Sequence, residues 1–206
     1  MPSKRSHIFV VLISLLGIGL ATYSVYHGYS TPAALEKLPD EIRGSIISLK
    51  SLKEEYYPIM HEMYSNTVRK NMEHPAVINF GYTIAYMRDL ERKATTTKSV
   101  VYIVWDNQDA KPIGYVEVRE YDPKDVGQLG CWINEKYWGK GRIVEAIKLI
   151  TDVYFKAYPD EKSYIAWVRL WNERSYKALK KAGLVEIGYA YEDGKPTRYI
   201  LEMRRK

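Results

Sequence analysis

The chain has one cysteine, Cys131, so no intrachain disulfide can form. It has no internal repeat and no low-complexity segment. It also lacks a stripe of interleaved basic and aromatic residues, which argues against nucleic acid as a partner. Between Arg5 and Glu36 it has no charged residue at all. A stretch that long without charge belongs to a membrane or a secretion route rather than to a soluble surface.

What is present fits one domain with an appendage. The 206 residues are 46% hydrophobic and 27% charged, enough apolar material for a real core. Of the formal net charge of +6, Lys4 and Arg5 carry two, leaving +4 on residues 36–206. Those charges are interspersed, as in Lys37, Asp40, Glu41 and Arg43, and read as a solvated surface. The mild basic excess favours an anionic ligand. Cys131 alternates with Leu129 and Ile133, which reads as a buried small hydrophobe rather than a nucleophile.

The uncharged run from Ile8 to Tyr26 is 19 residues long. That is close to the roughly 20 needed to span a bilayer. Tyr23, Tyr26 and Tyr29 suit an interfacial belt. Residues 1–29 are therefore read as a single-pass anchor, touching the membrane through residues 8–26. Gly19-Leu20-Ala21 also suits signal cleavage, so a cleaved signal peptide is the alternative. Lys4 and Arg5 slightly favour a cytoplasmic amino terminus and an exported domain. Residues 30–44 read as a linker and 45–206 as the globular domain.

Within that domain, Ser45–Leu49 reads as a strand. Lys53–Met72 and Ile78–Lys98 carry helical apolar stripes. Ser99–Trp105 and Pro112–Arg119 flank a turn at Asp106–Asp109 and read as a hairpin. Gln128–Asn134 is a further strand, Gly141–Ala157 a helix and Ser163–Val168 a buried-type strand. Asn172 suits the N-cap of a helix to Ala182, with Gly183 as its stop. Two strands joined at Glu192-Asp193-Gly194-Lys195 close the chain. The expected fold is mixed α/β, with a glycine turn leading into a central helix.

That turn, Trp138-Gly139-Lys140-Gly141-Arg142, has the layout of an anion site. Glycines let backbone N–H groups approach a phosphate, and the following helix adds its positive end. The element order, Gly130-Cys131-Trp132-Ile133-Asn134 running into Tyr137-Trp138-Gly139-Lys140-Gly141, and Asn172-Glu173-Arg174-Ser175 with Ala182-Gly183-Leu184 together resemble the GNAT acetyltransferases. The resemblance covers about Ile46 to Met203. It is strongest to the branch of ribosomal-protein and spermidine N-acetyltransferases.

The resemblance implies a mostly antiparallel central sheet flanked by helices, and acetyl-CoA as acyl donor. It implies that Tyr137, Gly139, Lys140, Gly141 and Arg142 hold the pyrophosphate. The pantetheine arm would pair with the backbone of Trp132, Ile133 and Asn134 where two strands splay, and Asn172 would hydrogen-bond it. Ser175 is expected near the sulfur. Glu117 and Glu120 are candidate bases, and Gln128 and Tyr115 are substrate-side residues; glutamine can orient a water but cannot act as a base at neutral pH. Some positions depart from the family pattern. Leu179 stands where many members carry a tyrosine acid, and Ile143-Val144 stand where a small residue and threonine are usual.

The expected acceptor is a primary amine: a protein amino terminus, a lysine, a polyamine or an amino sugar. A catalytically silent, membrane-tethered module that binds CoA or a protein is the alternative. A homodimer is compatible with the sequence, and no metal is expected. Because acetyl-CoA is a cytosolic donor, an active enzyme expects a cytosol-facing domain, against the charge bias of the amino terminus.

Overall fold

The computed structural model describes residues 38–75, 78–121 and 126–206, without the side chains of Tyr121 and Val126. The anchor or signal expected over residues 1–29 lies outside the described residues. Among the described residues, no helix is long and apolar enough to cross a membrane.

Eight strands form one sheet in the order β1-β2-β3-β4-β5-β6-β8-β7. They are β1 Glu41–Arg43, β2 Ile47–Lys50, β3 Val100–Asp106, β4 Lys111–Tyr121, β5 Val126–Ile133, β6 Ser163–Arg169, β7 Val185–Glu192 and β8 Lys195–Arg204. Every neighbouring pair is antiparallel except β5 and β6, which are parallel. The mostly antiparallel sheet expected from the sequence is thus observed. β1 lies inside the segment read as linker; three residues are too short a run to announce a strand without the partner that pairs with them.

The helices are α1 Tyr57–Met63, α2 Asn66–Asn71, α3 Phe80–Thr96, α4 Arg142–Ala157 and α5 Glu173–Ala182. The single helix expected over Lys53–Met72 is broken. Ser65 turns its hydroxyl back to accept the Val68 N–H at 3.2 Å, which stops α1 and caps α2. That hydroxyl also donates to Glu135 at 2.5 Å, and Asn134 Nδ2 donates to the Met63 carbonyl at 2.7 Å. The α1–α2 junction is therefore tied to the end of β5.

Side chains alternate across a strand, so the cross-strand pairs Tyr115–Trp132, Glu117–Gly130 and Arg119–Gln128 share one face of the sheet. That face packs against α1 and α3 through Tyr64, Met87, Leu90 and Trp132. The opposite face is covered by α4, whose Ala146, Ile147, Ile150 and Tyr154 recur at helical spacing and are buried. α5 ends as Gly183 adopts φ +113 and Leu184 N–H returns to the Leu179 carbonyl at 3.1 Å. The β7–β8 turn has both central residues at positive φ, Asp193 at 49° and Gly194 at 74°. This is the turn that Asp-Gly favours between twisted strands.

Candidate active site

β5 and β6 pair only at Gly127–Tyr164 and Gln128–Ile165, and diverge beyond. The gap between them opens into a cleft of about 400 Å³. Of the residues singled out from sequence, Gln128, Trp132, Ile133, Asn172 and Ser175 line this cleft together.

The divergence leaves part of the β5 edge without a strand partner. In an antiparallel ladder, hydrogen-bonded and non-hydrogen-bonded pairs alternate. Asn134 N–H donates to the Ile113 carbonyl at 2.9 Å, so Asn134 and, two residues back, Trp132 turn their backbone groups toward β4. Cys131 and Ile133 turn theirs toward the gap. The Ile133 carbonyl already accepts the Trp138 indole N–H at 2.9 Å. The expected strand-mimic contacts at Trp132 and Asn134 are corrected accordingly: the available edge is Cys131 and Ile133. The ladder phase could not be read from sequence because it depends on where β4 and β5 enter register. Burial pushes the Cys131 thiol up to about 12, which agrees with an inert side chain on a useful backbone.

Trp138 and Ile143 line the cleft, and in the turn between them Gly139 has φ +98 and Gly141 φ +83. A Cβ at residue 139 would meet nothing within 4 Å, and one at 141 only Ile46 Cδ1 at 3.8 Å. The bare backbone of this turn faces open space. α4 begins at Arg142 with no side-chain cap on its N-terminus, whereas α2, α3 and α5 are capped by Ser65, Asn79 and Asn172. The first N–H groups of α4 are thus available to an anion. Lys140 is exposed at the tip of the turn. The residues present fit a phosphate-bearing ligand.

Two side chains of this segment are committed elsewhere. Arg142 is buried and its Nε pairs with Asp106 Oδ2, so it contributes its backbone N–H only. Burial alone would raise the Asp106 pKa, but Arg142 and the N–H groups of Asp109 and Gln108 hold it below the ordinary aspartate value. Tyr137 donates its hydroxyl to Asp109 at 2.6 Å and packs its ring under Arg142. An arginine one residue past a glycine turn resembles a phosphate ligand in sequence. Its buried partner lies 36 positions away and leaves no local signal.

Asn172 Oδ1 accepts the Ser175 N–H at 3.2 Å, which caps α5 and leaves the side-chain amide N–H groups for a ligand. Arg174, not singled out from sequence, stacks over the Trp138 ring at 3.5 Å. This contact joins the start of α5 to the glycine turn. Leu179 lines the cleft and is buried, so it offers no proton.

On the α1–α3 face, Glu117 lies under Gly130 and is only 1% exposed. Its Oε1 accepts from Arg119 at 3.0 Å, and Arg119 also donates to Gln128 at 3.1 Å. Burial raises the Glu117 pKa against the opposing pull of Arg119. Glu120 is exposed on the other face and is removed as a candidate base. Tyr115 is buried and hydrogen-bonded to Tyr86 at 2.5 Å, a core role rather than a substrate contact. No group of His, Cys, Asp and Glu suited to a metal occurs among the described residues.

The sequence profile of the family described as Acetyltransferase (GNAT) domain matches residues 47–185. No curated protein sequence matches the chain. Among solved structures, the microcin C7 self-immunity acetyltransferase MccE, in complex with acetyl-CoA and AMP, superposes with a TM-score of 0.68 at 17% identity, covering 81% of this chain and 97% of its own. The ribosomal L7/L12 α-N-protein acetyltransferase RimL gives 0.65 at 12% identity, covering 82% and 93%. Spermidine N-acetyltransferase from Vibrio cholerae, with CoA and spermine, gives 0.64 at 15%, covering 78% and 96%. At these identities the likenesses establish the fold.

Proposed function

The chain belongs to the GNAT acetyltransferase family, whose acyl donor is acetyl-CoA, and from that premise we propose that it is a membrane-tethered N-acetyltransferase acting on a primary amine. The observation that carries the reading is the gap between β5 and β6, an open strand edge lined by Asn172 and Ser175, with a bare glycine turn at an uncapped helix start between the lining residues Trp138 and Ile143, and the buried carboxylate of Glu117 behind the lining residue Gly130.

When bound, acetyl-CoA supplies a thioester whose carbonyl an amine can attack. The chain's own groups divide the remaining work. The N–H groups at the start of α4 and the exposed Lys140 bind the anionic end. The amide of Asn172 and the Ile133 N–H orient the arm in the gap. Glu117, its pKa raised by burial, takes up the proton that the ammonium must lose. Arg119 fixes that carboxylate and presents Gln128 to the acceptor side. Ser175 is the hydroxyl nearest in role to the missing tyrosine acid, because Leu179 cannot donate.

Measuring thiol release from acetyl-CoA with a panel of amines tests the proposal. Absence of turnover with every amine, together with no acetyl-CoA binding, would sink it. The buried Leu179 supports a second reading, a silent module that binds CoA without transfer. Acetyl-CoA binding with no turnover would favour that one. Tethering through residues 8–26 rests on the apolar run alone. Protease accessibility of the carboxyl terminus in sealed vesicles tests it and the cytosol-facing orientation that the donor requires.

A further inference from the structure

Arg169 and Arg198 are direct cross-strand partners in β6 and β8. Like charges placed opposite each other destabilise a ladder, so this pair calls for anions. Two carboxylates answer, each touching both arginines. Glu192, at the end of β7, reaches Arg169 at 3.2 Å and also pairs with Arg198. Glu73, in the turn after α2, reaches Arg198 at 3.1 Å and also pairs with Arg169.

The two carboxylates are not equivalent. Glu73, Arg169 and Arg198 line the cleft, whereas Glu192 does not. Glu192 belongs to the hairpin that carries Arg198, so it travels with the seat. Glu73 comes from a different part of the chain and sits at φ 58, a left-handed conformation unfavourable for a non-glycine residue. Its side chain is 42% exposed. A carboxylate held in a strained, accessible turn is the component that another anion can replace.

We propose that Arg169 and Arg198 form an anion seat for the acceptor, whose amine is carried on a molecule bearing a carboxylate or phosphate, and that Glu73 fills the seat until that molecule arrives. This names the substrate class of the transfer reading above and rests on it. The cleft lining argues in the same direction. Among the described residues that line it, the arginines are 119, 169, 174 and 198, and the only carboxylate is Glu73. A polyamine would add positive charge to that set and gain one already-paired carboxylate.

Two matched pairs of acceptors test the seat: L-lysine against cadaverine, and O-phosphoethanolamine against ethanolamine. The first pair reads a carboxylate and the second a phosphate. The full chain is assayed for thiol release from acetyl-CoA, and O-phosphoethanolamine and ethanolamine binding are measured calorimetrically without turnover. The anionic member of at least one pair is expected to be preferred by roughly tenfold or more, the scale of a charge-assisted contact. Arg198→Met is expected to collapse that preference, and Arg198→Lys to keep part of it. Glu73→Gln leaves both arginines in place and is expected to tighten binding of the anion; it serves if Arg198→Met does not fold. Equal or reversed preference in both pairs, or a preference untouched by Arg198→Met and Glu73→Gln, overturns the seat. O-phosphoethanolamine binding that depends on Arg198, without turnover of any amine, supports the seat while removing the transfer reading.

Discussion

Glu117 and Gly130 face each other across β4 and β5, and the Glu117 carboxylate lies in the space that a Cβ on residue 130 would take. That Cβ would stand 2.7 Å from Glu117 Oε1 and 3.1 Å from its Cγ. The glycine therefore serves the carboxylate: it lets a buried acid lie flat beneath the wall of the cleft. Gly130→Ala must push Glu117 aside. Overpacking of this kind costs about 1–3 kcal/mol. Activity is expected to fall more than stability does, with acetyl-CoA affinity changed least. Calorimetric melting, donor binding and turnover, measured on one preparation, check the order of the three effects.

Glu117 also sets a pH prediction. Its pKa is raised, chiefly by burial, and it must be ionised to accept a proton. Turnover should therefore rise with pH along a limb displaced above the ordinary glutamate value of about 4.3. Glu117→Gln should remove that limb and lower kcat by about a hundredfold, within the range of general-base catalysis. Stability moves the other way. A carboxyl with a raised folded pKa stabilises the fold fully below its unfolded pKa, and that contribution is lost as pH rises through the folded value. Wild type should lose stability over that window, and Glu117→Gln should not. Denaturation midpoints across the window would contradict the assignment if the two proteins ran parallel.

The sequence made some of this visible and hid the rest for physical reasons. Gly139, Gly141, Asn172 and Gly183 were legible because turns and caps are local: the residue type and its backbone conformation lie within a few positions. The apolar face of α4 was legible because its period repeats over several turns. The break at Ser65 was not, because a serine inside a helical pattern becomes a cap only when its hydroxyl has reason to turn back. Glu73, Arg169, Glu192 and Arg198 come from distant parts of the chain, and only the sheet order brings them together. Arg142 reads as a phosphate ligand for the same reason, since its buried partner Asp106 stands at the end of β3, far from it in sequence.

The glycine turn separates shape from charge. At Gly139 a Cβ meets nothing within 4 Å, so Gly139→Ala carries only the penalty of φ +98. That penalty is about 1–2 kcal/mol. Gly139→Asp carries the same penalty and adds a negative charge where an anion is expected. Acetyl-CoA affinity should fall by roughly tenfold more in the aspartate variant than in the alanine variant, an effect that weakens as salt is added. Equal losses in the two variants would remove the pyrophosphate from this turn. Titration of acetyl-CoA at low and high salt makes the comparison.

The Arg142–Asp106 pair is buried on both sides, with the aspartate fully inaccessible. Removing one member leaves the other charged and unpaired, a loss of about 3–5 kcal/mol. Arg142→Met should therefore act first on folding, and its donor affinity should follow the folded fraction instead of showing the loss of a phosphate ligand. The pH dependence distinguishes the two roles. With Arg142 present, the folded Asp106 pKa is depressed, so its contribution is present above the unfolded value of about 3.9 and is lost as pH falls through the folded value. Without Arg142, burial dominates and the folded pKa rises, so protonation now favours the folded state. The stability gap between wild type and Arg142→Met should then be widest near neutrality and narrow as the solution is acidified. Urea midpoints at about pH 7 and about pH 4 read that gap directly. A gap that stays constant would mean that Arg142 stabilises the protein through something other than the Asp106 carboxylate.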